Sequence, residues 1–180
     1  AEYTSSTNEF AVNGLSVTAL AKTSGEISVT VATDSEGIYE QVKDLLSQYN
    51  SLINEMNKLY NADSAKGYEP LTDDEKDSMS DTEVEKWEAK VKDSLLRRDD
   101  SLESLISSMT TAMSKGYEVN GKTYYLTSFG ISTLGYMNSA KNEQYAYHIN
   151  GDEDDSATSG KEDKLLAAIK EDPDSVAGFM

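Results

Sequence analysis

Few side chains in this sequence could do chemistry, and His148 comes first because it is the only histidine in a chain without cysteine. A zinc site needs several nitrogen or sulfur ligands, so a lone histidine does not predict one. A Ser-His-Asp triad depends on geometry, and no Gly-x-Ser-x-Gly segment supports it. We therefore expect His148 to be a surface residue of a strand, and we predict no cofactor, no metal site and no catalytic residue.

The acidic segment 150–155 offers two other kinds of chemistry. Its oxygen-bearing side chains alternate as in calcium loops, but Asp155 stands where such a loop needs glycine, and Lys161 where it needs glutamate. Asp154 and Asp155 could form a hydrolase pair, yet a mobile loop lacks the desolvated pocket that separates two carboxyl pKa values. A mobile, solvated loop is favoured over both alternatives.

Charged and aromatic residues in the middle of the chain suggest packing rather than catalysis. Arg97, Arg98 and Asp99 interrupt an apolar helical stripe, which indicates an ion pair between helices or subunits that fixes their register. The alternative is a solvated face with weak local pairs. Trp87, the only tryptophan, lies on the same stripe, so we expect it in a helix seam rather than in a ligand site.

Composition excludes several classes of protein. The 180 residues include 33 acidic and 16 basic ones, and the net charge of −17 opposes binding to nucleic acid or to anionic membranes. No apolar run approaches the roughly 18 residues of a membrane helix, and the first residues lack the features of a signal peptide. The strand-like start and a last helix that stops at Met180 lead us to expect a fragment of a longer protein.

The elements that position any functional surface are dominated by a helix predicted over residues 36–61, with Asp34 or Ser35 as its N-cap. At about 1.5 Å per residue it is about 39 Å long, too long for one small core to cover, so it needs partner helices from this chain or from other copies. Its apolar residues recur at intervals of three and four, which places them on one stripe. They are Val42, Leu45, Tyr49, Leu52, Met56 and Leu59, and Leu46, Ile53 and Tyr60 widen the stripe along one side.

A second long helix is predicted from a capping box at Ser80 to about Lys115. The two helices should form an antiparallel hairpin joined by a loop with one short helix that Thr72 begins. If Leu52 is buried between them, replacing it by alanine costs about 2 to 5 kcal/mol. The stripe expected to pack against the first helix consists of Val84, Trp87, Val91, Leu95 and Leu102.

Short strands flank the two helices. Residues 9–12 and 15–21 alternate around Asn13-Gly14, and residues 27–33 alternate as well, which suggests the end of a larger β domain. Beyond the second helix we predict a hairpin of residues 117–119 and 122–126 around Asn120-Gly121, and a strand over 145–149. Two short helices capped by Asp163 and Asp172 follow, the last with Val176 and Phe179 facing inward. The predicted fold class is α+β: a long antiparallel helical hairpin or coiled coil with short β-strands, divided into residues 1–35 and 36–180.

Several segments together resemble a known family. They are residues 8–15 (NEFAVNGL), 27–34 (ISVTVATD), 42–53 (VKDLLSQYNSLI), 95–99 (LLRRD) with Leu102, 128–133 (SFGIST), 163–165 (DKL) and 172–176 (DPDSV). No single segment is diagnostic, but the ordered set covers nearly the whole chain. It resembles the bacterial flagellar filament cap protein family (FliD, flagellar hook-associated protein 2).

The resemblance implies a secreted structural protein, not an enzyme, located outside the cell at the tip of the flagellum. Family members assemble as a homo-oligomeric ring that promotes the folding and polymerisation of flagellin, so the implied partners are other copies, flagellin and the flagellar export machinery. Residues 1–35 would be the last strands of a β-rich head domain and 36–180 most of a helical leg with a β-hairpin insert. The alternative is a cell-adhesion module, an adhesin that contacts host glycans with its β segments and tyrosines.

Overall fold

The structure is a computed structural model that describes residues 4–12, 15–28 and 33–180. The chain divides into two units, Ala1–Ala32 and Thr33–Met180. Its helices and short antiparallel strand pairs confirm the predicted α+β class.

The described residues of the first unit contain one antiparallel strand pair. Strand β1 (Glu9–Val12) pairs with β2 (Leu15–Thr18), and β2 is shorter than the strand predicted over 15–21. The predicted turn residues 13 and 14, and residues 29–32 of the predicted third strand, lie outside the described residues. Ile27 and Ser28 are not in a strand. Leu20 and Ile27 are exposed, so the described part of this unit buries little of its apolar surface.

The second unit begins with a long helix and continues with shorter elements. The helices are α1 (Ser35–Tyr60), α2 (Asp73–Asp77), α3 (Asp81–Asp93), α4 (Asp100–Ser114), α5 (Lys164–Glu171) and α6 (Pro173–Phe179). The strands are β3 (Tyr117–Val119), β4 (Lys122–Tyr124), β5 (Ile131–Thr133) and β6 (Tyr147–Ile149), and a single 3-10 turn spans Leu126–Phe129. Antiparallel pairing joins β3 to β4 and β5 to β6.

Local sequence signals explain where most of these elements begin and end. Asp34 caps α1 by accepting a hydrogen bond from the Gly37 amide at 2.9 Å, as the predicted Asp34 or Ser35 cap requires. Thr72 and Glu75 form the capping box of α2. Asn120 and Gly121 have φ values of 53° and 77°, which is the conformation that a two-residue hairpin turn needs.

The prediction of one continuous second helix up to Lys115 is wrong, because α3 ends at Asp93 and α4 begins at Asp100. Between them Arg98 takes the left-handed conformation, with a φ of 59° that an α-helix does not accommodate. Asp99 then accepts a hydrogen bond from the Leu102 amide at 2.7 Å and caps the new helix. The helix start at Asp99-Asp100 was missed because Leu95 and Leu102 keep helical spacing across it.

The antiparallel hairpin is formed by α1 and α4. The Arg98 amide donates to the Tyr60 carbonyl at 3.1 Å, Ile53 and Ile106 share one buried cluster, and Met113 packs on the cluster that contains Val42. Later residues of α4 therefore lie beside earlier residues of α1. This geometry brings the middle of α1 against the middle of α4.

The prediction that α1 packs against the residues from Val84 to Leu95 is wrong. Leu102 contributes to the cluster between α1 and α4, but Val84 and Val91 lie outside it and Leu95 is exposed. The Trp87 ring instead lies 4.7 Å from that of Tyr68, and its Nε1 donates to a loop carbonyl at 2.8 Å. The break before α4 explains the difference, because it separates α3 from the register of the stripe.

The main core lies where the amino-terminal half of α1 meets the strands and the last two helices. Phe129 stacks on Tyr124, and α5 is buried through Leu165 and Ile169. Val176 of α6 points inward as predicted, and Phe179 is partly buried against the same core. The buried members of this core are Tyr39, Val42, Leu46, Leu126, Phe129, Ile131, Ile149, Leu165, Ile169 and Val176.

Candidate functional site

The predicted stripe on α1 splits into a buried half and an exposed half. Val42, Ile53 and Met56 are buried against the rest of the chain. Leu45 and Leu52 keep 51% and 53% of their surface exposed. The burial of Leu52 within this chain was therefore predicted wrongly, because the buried face centres on Leu46 and Ile53, one residue further round the helix.

A leucine of α4 extends the exposed half of the stripe. Ile53 and Ile106 face each other in an antiparallel pair, so the residues directly before them, Leu52 and Leu105, turn to the same side of that pair. Leu105 is 50% exposed. We call Leu45, Leu52 and Leu105 the outer seam. It is an apolar surface that this chain leaves open, half-buried Leu59 lying further along it on α1.

The helix that carries Leu105 is almost free of charge. Residues 104–114 contain no acidic or basic side chain, in a protein whose net charge is −17. Charged residues are depleted at the centres of protein interfaces because their desolvation is unfavourable. The α4 side of the outer seam therefore has the composition of an interface rather than of an ordinary solvated helix face.

The opposite side of α1 is covered by the chain itself. Asn50 Nδ2 donates to the Tyr147 carbonyl at 2.7 Å, and the Tyr147 amide donates to Asn50 Oδ1 at 2.7 Å. One heptad later, Asn57 Nδ2 donates to the Asn142 carbonyl at 2.9 Å. Sequence reasoning missed this pair; its signal was two asparagines seven residues apart beside an apolar stripe.

Tyr49 lies between the two sides of α1. Its ring meets that of Tyr147 edge-on at 5.7 Å, and burial raises the pKa of Tyr49 to about 12. Its hydroxyl is buried without a hydrogen-bond partner among the described residues. A buried hydroxyl without a hydrogen-bond partner is energetically unfavourable.

The residues predicted to form a register-fixing ion pair make other contacts within this chain. Among the described residues, Arg97, Arg98 and Asp99 make no ion pair within the chain. Arg98 instead places its guanidinium 5.0 Å from the centre of the Tyr60 ring, while its amide bonds to the Tyr60 carbonyl. Asp99 serves as the cap of α4. An ion pair between subunits stays a prediction.

Lys43 lies between the carboxylates that suggested a calcium loop. Its Nζ is 2.7 Å from Asp152 Oδ1 and 2.6 Å from Asp154 Oδ2, and these hydrogen bonds raise the pKa of Lys43. The Lys43 ammonium therefore occupies the position between the two carboxylates that a bound cation would take. The described residues contain no group of three or more His, Cys, Asp or Glu side chains fit to hold a metal ion.

His148 is not the surface residue that the sequence predicted. Its side chain is 20% exposed, and Nδ1 lies 2.6 Å from Asp155 Oδ2. An ionised carboxylate only accepts hydrogen bonds, so Nδ1–H donates. A hydrogen bond also holds the segment that follows His148: the buried Thr158 hydroxyl donates to the Ile149 carbonyl at 2.7 Å. Asp154 and Asp155 therefore have different partners, Lys43 and His148.

We expect the Asp155 contact to make folding sensitive to acid. Burial opposes the charged form, but hydrogen bonds from His148 and the Ala157 amide outweigh it and lower the pKa of Asp155. A carboxyl group whose pKa is lower when folded stabilises the native state above its unfolded pKa, near 3.8. That contribution is lost as pH falls through the folded pKa.

Urea unfolding at pH 7 and pH 3 measures this effect. Asp155→Asn should lose roughly 1 to 2 kcal/mol at pH 7 and show a smaller loss on acidification than the parent chain. Glu153→Gln, an exposed neighbour, is the control and should behave like the parent. An Asp155→Asn variant that loses as much stability on acidification as the parent would contradict the assignment.

None of the described helices combines the length and the hydrophobicity that crossing a bilayer requires. The fold and the surfaces above describe an α+β protein that has a helical pair with an exposed apolar side.

The family model "Flagellar hook-associated protein 2 C-terminus" matches residues 1–180. The chain is 30% identical over 172 residues to "Flagellar hook-associated protein 2" of Halalkalibacterium halodurans, covering 96% of this chain and 30% of that protein. It is 29% identical over 183 residues to the protein of the same name from Thermotoga maritima, covering 99% of this chain and 25% of that protein. No solved structure matches. The chain belongs to the flagellar hook-associated protein 2 C-terminus family.

Proposed function

We propose that this chain is part of a structural protein of the bacterial flagellum that assembles as a ring of several copies at the distal end of the filament. There it promotes the folding and polymerisation of flagellin that the export machinery delivers. The protein acts outside the cell and catalyses no reaction. Membership of the family supports the flagellar role.

The outer seam is the observation that carries the assembly part of this proposal. Leu45, Leu52 and Leu105 each expose about half of their surface on one side of a helix pair. Exposed large apolar side chains at heptad spacing are typical of a helix that packs against another helix. Burying them on a partner helix supplies the driving force for assembly that the acidic charge opposes.

The two units fit two parts of a longer protein. The matched region is about 30% or less of the length of its relatives, and the described hairpin of the first unit buries little apolar surface. We infer that residues 1–35 are the last strands of a β-rich head domain and that residues 36–180 are a helical leg. The missing strands would cover Leu20 and Ile27, which are exposed here.

The seam can be tested in the full-length protein by filament growth. Leu45→Ser combined with Leu52→Ser should reduce the polymerisation of purified flagellin at filament ends roughly tenfold or more, because serine removes the apolar contact. Both residues are half exposed, so the fold should persist in circular dichroism. Ser47→Ala with Ser51→Ala, exposed on α1 outside the outer seam, is the matched control and should support normal growth.

If the doubly substituted protein still promoted full polymerisation, the outer seam would have no part in the mechanism. Equal failure of the serine-to-alanine control would mean that α1 tolerates no substitution and that the seam has no special part. Failure of the parent protein to promote any growth would overturn the proposed function itself.

A further inference from the structure

The turn between β3 and β4 contains an asparagine followed by a glycine, two residues that can react with each other. The backbone nitrogen of Gly121 can attack the side-chain carbonyl carbon of Asn120, which closes a five-membered succinimide ring and releases ammonia. Water then opens the ring at either carbonyl and leaves aspartate or isoaspartate. The net change is that one water enters and one ammonia leaves. Glycine favours the reaction because it has no Cβ to obstruct the approaching side chain.

The structure leaves this pair of residues open to the reaction. Asn120 and Gly121 are both exposed. Among the described residues, the Gly121 amide donates to no backbone carbonyl. Apart from the neighbouring residues, no described atom lies within 4 Å of the place that a Cβ on Gly121 would take. The attacking nitrogen therefore has no competing backbone acceptor, and the ring has room to form.

The short strands on either side of the turn permit the backbone movement that ring closure requires. β3 and β4 contain three residues each, and Asn120 lies at the tip of their hairpin. Exposed turns between short strands open locally at low free energy, whereas buried segments open only with much of the fold. The backbone of Asn120 can therefore rotate toward the reactive geometry while the rest of the protein stays folded.

The fold blocks the same reaction at a second asparagine and glycine, Asn150 and Gly151. The Gly151 amide donates to the Thr158 carbonyl at 2.9 Å, and Asn150 Oδ1 is buried. A Cβ on Gly151 would lie 2.6 Å from the Asp163 Cβ, so a side chain cannot fold back over this glycine. Ring closure here requires both the loss of the hydrogen bond and a displacement of Asp163. A third such pair, at 13 and 14, lies outside the described residues.

We propose that Asn120 is a site of spontaneous deamidation in the folded protein and that the fold protects Asn150. The inference goes beyond the proposed function and does not depend on it. Isoaspartate places an additional carbon atom in the main chain, so it lengthens a turn whose two residues match the twist of the strands. It therefore weakens the strand pairing that places Tyr124 on Phe129, where the ring centroids lie 5.4 Å apart.

Peptide mapping of the chain after incubation in warm, mildly alkaline buffer tests the proposal. Trypsin places Asn120 in the peptide 116–122 and Asn150 in the peptide 142–161, and fragment ions assign the amide-to-acid mass change to each residue. In the folded chain Asn120 should convert roughly tenfold or more faster than Asn150. In urea the two residues should convert at similar rates, because the protection of Asn150 comes from the fold. Incubation continues until half of the urea sample has converted.

Two variants separate the chemistry from its structural effect. Asn120→Gly keeps a sequence that fits the turn but lacks the reacting side chain, so its 116–122 peptide should not change. The amides of β3 and β4 should exchange roughly tenfold faster in the purified isoaspartate form than in the parent. Asn120→Asp should exchange like the parent, because Asp-Gly fits the same turn.

Two results would overturn the proposed site. One is an Asn120 that stays unmodified in the folded chain while it converts in urea, since the hairpin would then protect it. The other is equal conversion of Asn120 and Asn150 in the folded chain, since the fold would then make no distinction between them. An isoaspartate form whose β3 and β4 amides exchange like those of the parent would overturn the proposed weakening of the hairpin.

Discussion

Replacing Ile53 by alanine is expected to lower the free energy of unfolding by about 2 to 5 kcal/mol. Its side chain is fully buried between α1 and α4, where Met56 and Ile106 surround it. Truncation removes apolar contacts and leaves a cavity that long, packed helices close only in part. Urea unfolding followed by circular dichroism at low protein concentration measures the loss.

Leu52→Ala is the matched control, because it removes a similar number of atoms one position away on the same helix. About half of the Leu52 surface already contacts water in this chain, so the loss should be about 1 kcal/mol or less. Two equal losses would show that the outer seam is covered within the chain. A loss confined to Leu52→Ala would show that the faces of α1 are assigned the wrong way round.

Replacing Asn50 by alanine should cost about 2 to 4 kcal/mol. The side-chain amide donates to and accepts from the backbone of Tyr147, with both distances 2.7 Å. Alanine leaves a partly buried amide and carbonyl of β6 without these partners, and each such group carries a desolvation cost. The effect extends beyond α1, since Tyr147 pairs with Thr133 in the β5–β6 ladder.

The unfolding free energy and the hydrogen exchange of the Tyr147 amide together test this role. The amide should exchange much faster in Asn50→Ala, whereas Gln48→Ala, exposed on the same helix, should change neither quantity. Unchanged protection of the Tyr147 amide in Asn50→Ala would contradict the assignment of that hydrogen bond.

Elements governed by local signals could be predicted from the sequence. The cap at Asp34, the box at Thr72 and the Asn120-Gly121 turn each satisfy backbone groups within a few residues. Such signals are independent of the rest of the fold, so the boundaries of α1 and of the β3–β4 hairpin fell within one or two residues of the predicted ones.

The break before α4 and the choice of face on α1 could not be predicted in this way. Leu95 and Leu102 keep helical spacing on either side of the break, so the apolar pattern alone predicts one helix. The backbone of Arg98, which donates to the Tyr60 carbonyl of α1, shows that the helix is interrupted. Similarly, a stripe with intervals of three and four is wide enough to face two partners. Which half is buried depends on where α4 and the 142–149 segment lie, and that is set by tertiary contacts.

The polar contacts were missed for the same reason. Lys43 reaches Asp152 and Asp154 more than a hundred positions away, and Asn50 reaches Tyr147 across 97. No local spacing encodes such partners. The sequence places the apolar residues of α1 on one stripe. The division of that stripe into a buried half and an outer seam required the fold.

Hydroxyl-radical footprinting of the chain and of the assembled full-length protein tests whether assembly covers the outer seam. We predict that Leu45, Leu52 and Leu105 are oxidised in the dilute chain and protected in the assembly, with Ile53 protected in both. Equal oxidation of the three leucines in both samples would contradict it, because the open side of the helix pair would then have no partner.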